Sequence, residues 1–289
     1  MKIATLIYLD WQAQATEIEL EKGVTLVDLQ NHPLEQLYFK ICKDDRVDEG
    51  SPYYYRGGII IDREQFYADP DSPRSQVSQI LSALTCLTKQ PSGRTRTIYC
   101  DSNFLKCDHT REDYLYSEGH EDFLMKGKRN PFTENEVALL KRMWNSVNKF
   151  WNDERRSSRI TNALISYRYS WDIHSIDQTV IHLAIVLECL FSPDSNNELS
   201  HQIAFNASKT IFESKEKRQT VYQAIKSLYT MRSKVVHGEY LSEKQEQSVL
   251  EYFELVSEIL VRTLINENLC STLNDNERRK LFLKSLLFS

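Results

Sequence analysis

The apolar positions of this chain change period partway along it. Up to about residue 130 they come in short runs rich in β-branched and aromatic residues. These runs, at 1–9, 16–21, 35–42, 57–62 and 95–100, are bounded by turn residues and predict strands. Between the last two, Val77, Ile80, Leu81, Leu84 and Leu87 recur at helical spacing and predict a helix from Ser75 to Lys89. Gly57-Gly58 and Pro91-Ser92-Gly93 read as turns. Beyond residue 130 the period becomes helical throughout. Val137, Leu140, Trp144, Val147 and Trp151 form a stripe, and Thr133-Glu134-Asn135-Glu136 before it matches a capping box. Further helices are predicted at 158–169, from Ser175 to about Phe191, and at 198–213, 216–237, 242–266 and 275–288. Val249, Tyr252, Phe253, Val256, Ile259, Leu260 and Leu264 give the clearest stripe of all.

The pattern predicts an α+β N-terminal domain over residues 1–130, followed by an all-α helical-bundle domain over 131–289. Turn residues agree with that division. Seven of the eight glycines precede residue 128, and five of the seven prolines precede residue 130. Gly127-Lys128-Arg129-Asn130-Pro131-Phe132 marks the boundary.

Composition narrows the class. At 289 residues, 41% apolar and 27% charged, the chain is ordinary for a soluble globular protein. No apolar run approaches the ~18 residues of a membrane span. The first ten residues hold no small-residue cleavage site and read as a strand. Cys42, Cys86, Cys100, Cys107, Cys189 and Cys270 form no CxxC pair, which fits a reducing cytoplasm. Cys100, Cys107 and His109 lack a fourth ligand and the usual zinc spacing, so no metal is expected.

The net charge of −5 is uneven. Residues 1–127 hold 14 Lys+Arg against 21 Asp+Glu, a balance of −7; residues 128–289 hold 22 against 20, a balance of +2. A strong, sequence-independent DNA binder would need the opposite sign, so nucleic-acid binding has to rest on a local patch.

Most catalytic motifs are missing. The chain has no GxGxxG, phosphate loop, HExxH or GxSxG, and no cofactor is expected. Asp62-Arg63-Glu64 after Ile59-Ile60-Ile61 has no lysine at the spacing of a metal-dependent nuclease, and reads as a solvated strand end. Tyr53-Tyr54-Tyr55-Arg56 could stack single-stranded nucleic acid, although tyrosines entering a strand usually pack. The charges from Lys215 to Arg218 read as a solvated first turn, and His174, His182 and His201 are given no catalytic role.

Arg232 and His237 remain. The helix carrying them runs up to Gly238, which can end it in the left-handed conformation. A guanidinium suits a phosphate in its transition state, and an imidazole can move protons near pH 7. The same spacing also fits a structural arginine paired with a buried carboxylate such as Glu188, beside a histidine that merely caps a helix end.

Arg232-Ser233-(three residues)-His237 resembles the R-polar-x-x-x-H motif of the HEPN superfamily of helical RNases. The wider stretch is similar to its Apea-like branch over about residues 175–260: Ala184-Ile185-Val186-Leu187-Glu188-Cys189-Leu190-Phe191, then Glu198-Leu199-Ser200-His201, then Leu228 to Gly238. Residues 1–130 carry no such resemblance.

The resemblance implies a bundle that forms a homodimer, two R/H helices building one composite cleft. It further implies metal-independent RNA cleavage in phage defence or a toxin system. Arg232 would stabilise charge on the scissile phosphate. His237 would act as acid or base in attack by the 2′-hydroxyl, the helix C-terminus leaning it toward the acid. Ser233 and Glu188 would support them.

Two functions are therefore expected. One is a cytoplasmic endoribonuclease with RNA as substrate, whose N-terminal domain senses or restrains and takes a regulatory partner or ligand. The alternative is a catalytically inactive HEPN-like dimerisation module.

Overall fold

The computed structural model describes residues 2–7, 9–37, 57–62, 72–89, 95–101, 103–105, 107–113, 131–151, 158–172, 175–193 and 198–288. An α+β region comes first and a helical region follows. Six antiparallel strands, β1 (Lys2–Ile7), β2 (Glu17–Glu21), β3 (Val24–Asp28), β4 (Gly57–Asp62), β5 (Thr95–Cys100) and β6 (Cys107–Asp113), form one sheet in the order β2-β3-β4-β1-β5-β6.

Register sorts the side chains. Ile3 sits opposite Ile61, and Leu26 opposite Ile59; with Ile7, Ile18 and Val24 they join the main apolar core. Ala4, Val27 and Ile60 point to the other face and pack with Leu29, Leu34, Leu37, Cys100 and Phe104. Both faces of β4 are buried, which explains its unbroken Ile59-Ile60-Ile61 run.

Four readings of the front half need correction. Residues 33–37 form a helical turn, so the strand expected over 35–42 fails at 35–37; residues 38–42 lie outside the described set. The Leu34 amide donates to His32 Nδ1 at 3.1 Å, a local bond that starts the turn after Pro33. Strands β3 and β6 were not anticipated, because Val24–Asp28 follows a two-residue turn and Cys107–Asp113 is mostly polar. Gly57-Gly58 opens β4 and makes no turn. A Cβ on Gly57 would approach Ile7 Cγ1 to 3.0 Å, and one on Gly58 would meet Val27 and Leu29 at 3.1 Å. The glycines are there so that packed faces can close.

The helices are α1 (Ser72–Thr88), α2 (Glu134–Trp151), α3 (Arg159–Asp172), α4 (Ile176–Phe191), α5 (Leu199–Ile211), α6 (Lys215–Val236), α7 (Glu243–Leu264), α8 (Glu267–Asn274) and α9 (Asn276–Ser285), with a 3₁₀ turn at Leu286–Phe288. The short α8 was not foreseen. Ahead of α2 the Thr133 amide donates to Glu136 Oε2 at 3.0 Å, one half of a capping box, while Thr133 Oγ1 accepts the Asn135 amide at 3.3 Å; Ser242 and Gln245 form both halves of a box ahead of α7. Adjacent helices pair as antiparallel hairpins, α3 with α4 and α5 with α6, while α7 lies against α2, α4, α5 and α6.

Helix α1 belongs to the front half by sequence and to the bundle by packing. It lies against α2, α3 and α7. Ser257 Oγ on α7 donates to the Cys86 carbonyl at 2.5 Å, and Arg168 on α3 donates to Ser78 Oγ at 2.5 Å. Ile80, Leu81, Ala83, Leu84 and Leu87 share one apolar cluster with strand residues and with Leu140, Trp144, Phe253 and Val256. At the 130/131 line the chain passes from sheet to helices, but the interior runs across it. Trp11 and Phe132 pack ring on ring, 5.2 Å between centroids, and the Phe132 amide donates to the Asp10 carbonyl at 2.7 Å. Among the described residues, no helix is long and apolar enough to cross a membrane.

Candidate active site

Both ends of α6 are fixed locally. Ser214 caps its start, accepting the Lys217 amide at 3.2 Å. Val221, Ile225, Leu228 and Met231 seat it in the core. Its last carbonyls need partners. Gly238, at φ 76°, turns the chain so that its own amide donates to the Val235 carbonyl at 3.0 Å and the Glu239 amide to the Lys234 carbonyl at 2.9 Å. This is a Schellman cap. Helix α6 thus ends at Val236, and His237 is the cap residue, its amide donating to the Ser233 carbonyl at 3.1 Å.

No atom lies within 4 Å of the place a Gly238 Cβ would occupy, so the demand for glycine is purely conformational. Gly238→Ala is therefore expected to cost about 1 kcal/mol, read as a lowered urea midpoint with an unchanged slope.

Arg232 leaves α6 toward α4. Its Nη2 lies 3.9 Å from Glu188 Oε1, and the Tyr229 hydroxyl donates to the same oxygen at 3.3 Å. The sequence-based pairing of Arg232 with Glu188 is present, and Glu188 is shared by two donors. Burial pushes the Tyr229 hydroxyl up from its ordinary range, and the Glu188 carboxylate adds to the shift, so the phenol stays a donor. The ion pair is not sealed: the Arg232 side chain is 39% exposed and that of Glu188 28%.

Ser233 is exposed, and among the described residues its hydroxyl makes no hydrogen bond. His237 is also exposed, between Val236 at 53% and Tyr240 at 93% exposure. Five residues turn a helix about 140° beyond one full circle, so Arg232 leans toward α4 while His237 stands off the helix end. No hydrogen bond joins the two side chains. Within one chain the structure gives a guanidinium and an imidazole on adjacent turns, both open to water. Both can act on an anionic substrate that reaches across the end of α6.

Three contacts along α6 escaped the sequence reading. They are the Tyr229 hydroxyl on Glu188, Lys226 Nζ donating to Ser200 Oγ at 3.1 Å, and His201 Nδ1 lying 2.6 Å from the Tyr222 hydroxyl. The available signal was spacing: Tyr222, Lys226, Tyr229 and Ser233 lie four, three and four residues apart on one stripe. Burial favours the protonated thiol of Cys189, beside Glu188, and pushes it up to about 11 against the opposing pull of Arg159.

Among the described residues the other sequence candidates assemble no site. Tyr53 to Arg56, Arg63, Glu64 and His174 lie outside the described residues. Asp62 ends β4, with its amide on the Gly23 carbonyl at 2.8 Å. His182 packs edge-on against Tyr169, 6.0 Å between ring centroids, and burial pushes it down. Cys107 sits opposite Cys100, and His109 opposite Tyr99, in the β5–β6 register. Among the described residues no group of three or more His, Cys, Asp and Glu is placed to hold a metal ion. No protein-family model, curated protein or solved structure matches the chain.

Proposed function

We propose that this chain is a cytoplasmic, metal-independent endoribonuclease with a HEPN-like helical half, acting as a homodimer in phage defence or a toxin system. One observation carries the reading. Arg232 and His237 are both open to solvent at a capped helix end, with the guanidinium anchored by Glu188 and the imidazole unencumbered. The exposed Val236 and Tyr240 beside His237 support a second copy meeting this end, since grouped apolar exposure is suited to contact. The free thiols of Cys86, Cys100, Cys189 and Cys270 fit a reducing compartment.

In this chemistry the 2′-oxygen loses its proton to solvent water and bonds to phosphorus. The bond to the 5′-oxygen breaks as His237 protonates that leaving oxygen. Arg232 holds the equatorial phosphate oxygens, whose charge grows in the transition state. The products are a 2′,3′-cyclic phosphate and a 5′-hydroxyl. Glu188 and Tyr229 keep the guanidinium in place, and Ser233 stands on the same face as His237. The front half, with its excess of acidic residues, is the place for a restraining partner or ligand.

A second reading has an observation in its favour. The Arg232–Glu188–Tyr229 cluster could hold α6 to α4 and nothing more, leaving an inactive interaction module. Incubating the purified chain with mixed RNA in excess EDTA separates the two. The nuclease reading expects full cleavage and cyclic-phosphate ends; intact RNA after long incubation supports the module.

A further inference from the structure

The proposed chemistry uses only one end of α6, yet the same face carries other groups along its length. Tyr222, Lys226, Tyr229, Ser233 and His237 follow at intervals of four, three, four and four residues. They make one stripe about 22 Å long. Helix α5 borders its N-terminal part. There the His201 and Tyr222 rings meet edge to face, 5.6 Å between centroids, and are tied by the 2.6 Å contact of Nδ1 with the hydroxyl. One turn further, Lys226 Nζ donates to Ser200 Oγ and, among the described residues, forms no ion pair. His201 is exposed, and Tyr222 and Lys226 are partly so.

Binding single-stranded nucleic acid takes cations for the backbone and flat rings for unpaired bases. Lys226 on α6 supplies the cation and His201 on α5 the ring, along the stripe that ends in His237 and on a neighbouring face of α6 from Arg232. We propose that this stripe is the substrate track for single-stranded RNA. Lys226 contacts a backbone phosphate, and the His201 ring, braced by Tyr222, stacks on an unpaired base. Both lie on the N-terminal side of the scissile phosphate along α6. The inference rests on reading the end of α6 as the RNA site, and it adds the substrate class: unpaired strands bind in preference to duplex. Lys226 and His201 position the strand and take no part in the bond changes.

The test is binding of a fluorescent 2′-O-methyl RNA, which cannot undergo attack by its own 2′-oxygen, to the full chain across a salt series. Lys226→Gln is expected to reduce the slope of log affinity against log salt by about 0.7, the release expected for one single-strand phosphate contact. His201→Ala is expected to weaken binding at least about fivefold with the slope unchanged, and His201→Phe to retain most of the affinity. Thermal melts of each variant check that the fold is intact.

Wild-type affinity and slope in both Lys226→Gln and His201→Ala would overturn the track, as would tighter binding of the duplex form or no binding by the wild type. Cleavage of unmodified RNA is measured alongside. Wild-type cleavage with unaltered variant binding sinks the track and leaves the nuclease reading standing. The expected variant losses without any cleavage uphold the track and sink the nuclease reading.

Discussion

On the nuclease reading, Arg232→Ala and His237→Ala are each expected to lower RNA cleavage by a factor of about 10² to 10³ while the protein stays folded. Losing a positioned charge that stabilises a transition-state oxyanion costs about that factor, and losing a general acid costs a similar or larger one. The structural side of the expectation matters equally. Among the described residues the His237 imidazole has no hydrogen-bond partner, so its removal should move stability by no more than about 0.5 kcal/mol. Arg232 gives up one partly exposed ion pair at 3.9 Å, a contact of about 1 kcal/mol or less. Arg232→Lys should not restore the rate, because an ammonium lacks the planar fork that grips two phosphate oxygens. The measurement is initial cleavage rate beside a urea melt for each variant. Unchanged cleavage in either alanine variant removes that residue from the chemistry. A loss of several kcal/mol in Arg232→Ala favours the interaction module.

Leu84→Ala should lower stability by about 2–5 kcal/mol, the range for emptying a leucine-sized space in a close-packed interior. Leu84 is 4% exposed in the cluster that, among the described residues, joins sheet, α1 and bundle, so the loss should be felt across the chain. Trp11 reports from the front half, and Trp144 and Trp171 from the bundle. Fluorescence and far-ultraviolet circular dichroism should therefore fall in one coincident, shifted transition. Two separated transitions, with only the first moved, would show that residues 1–130 and 131–289 unfold as independent units.

The helical half was largely legible because its stripes are long. Stretches such as Val249 to Leu264 repeat the 3.6-residue period over more than four turns, and Ser or Thr caps mark where they start. The front half was less so, for physical reasons. Five-residue strands such as Val24–Asp28 are too short to establish a period, and β6 is polar along most of its length. The turn at 33–37 is set by a side-chain-to-backbone bond that no periodicity encodes. In the site, the end of α6 followed from Gly238 alone, and the Arg232–Glu188 pair from a carboxylate near the end of the facing helix. The Tyr229 ring is buried while its hydroxyl reaches Glu188, a distinction that residue type cannot make. Contacts between α5 and α6 were hidden for a similar reason, since which helix lies beside which is decided by packing.

Helix α1 makes the front and back of this molecule hard to trade. A fragment beginning at residue 131 would lose the cover over Trp144, Phe253 and Val256, and the carbonyl that satisfies Ser257. Any natural or engineered fusion that transplants the helices onto a new leader must therefore carry residues 72–88 along, or supply an equally apolar rod in their place.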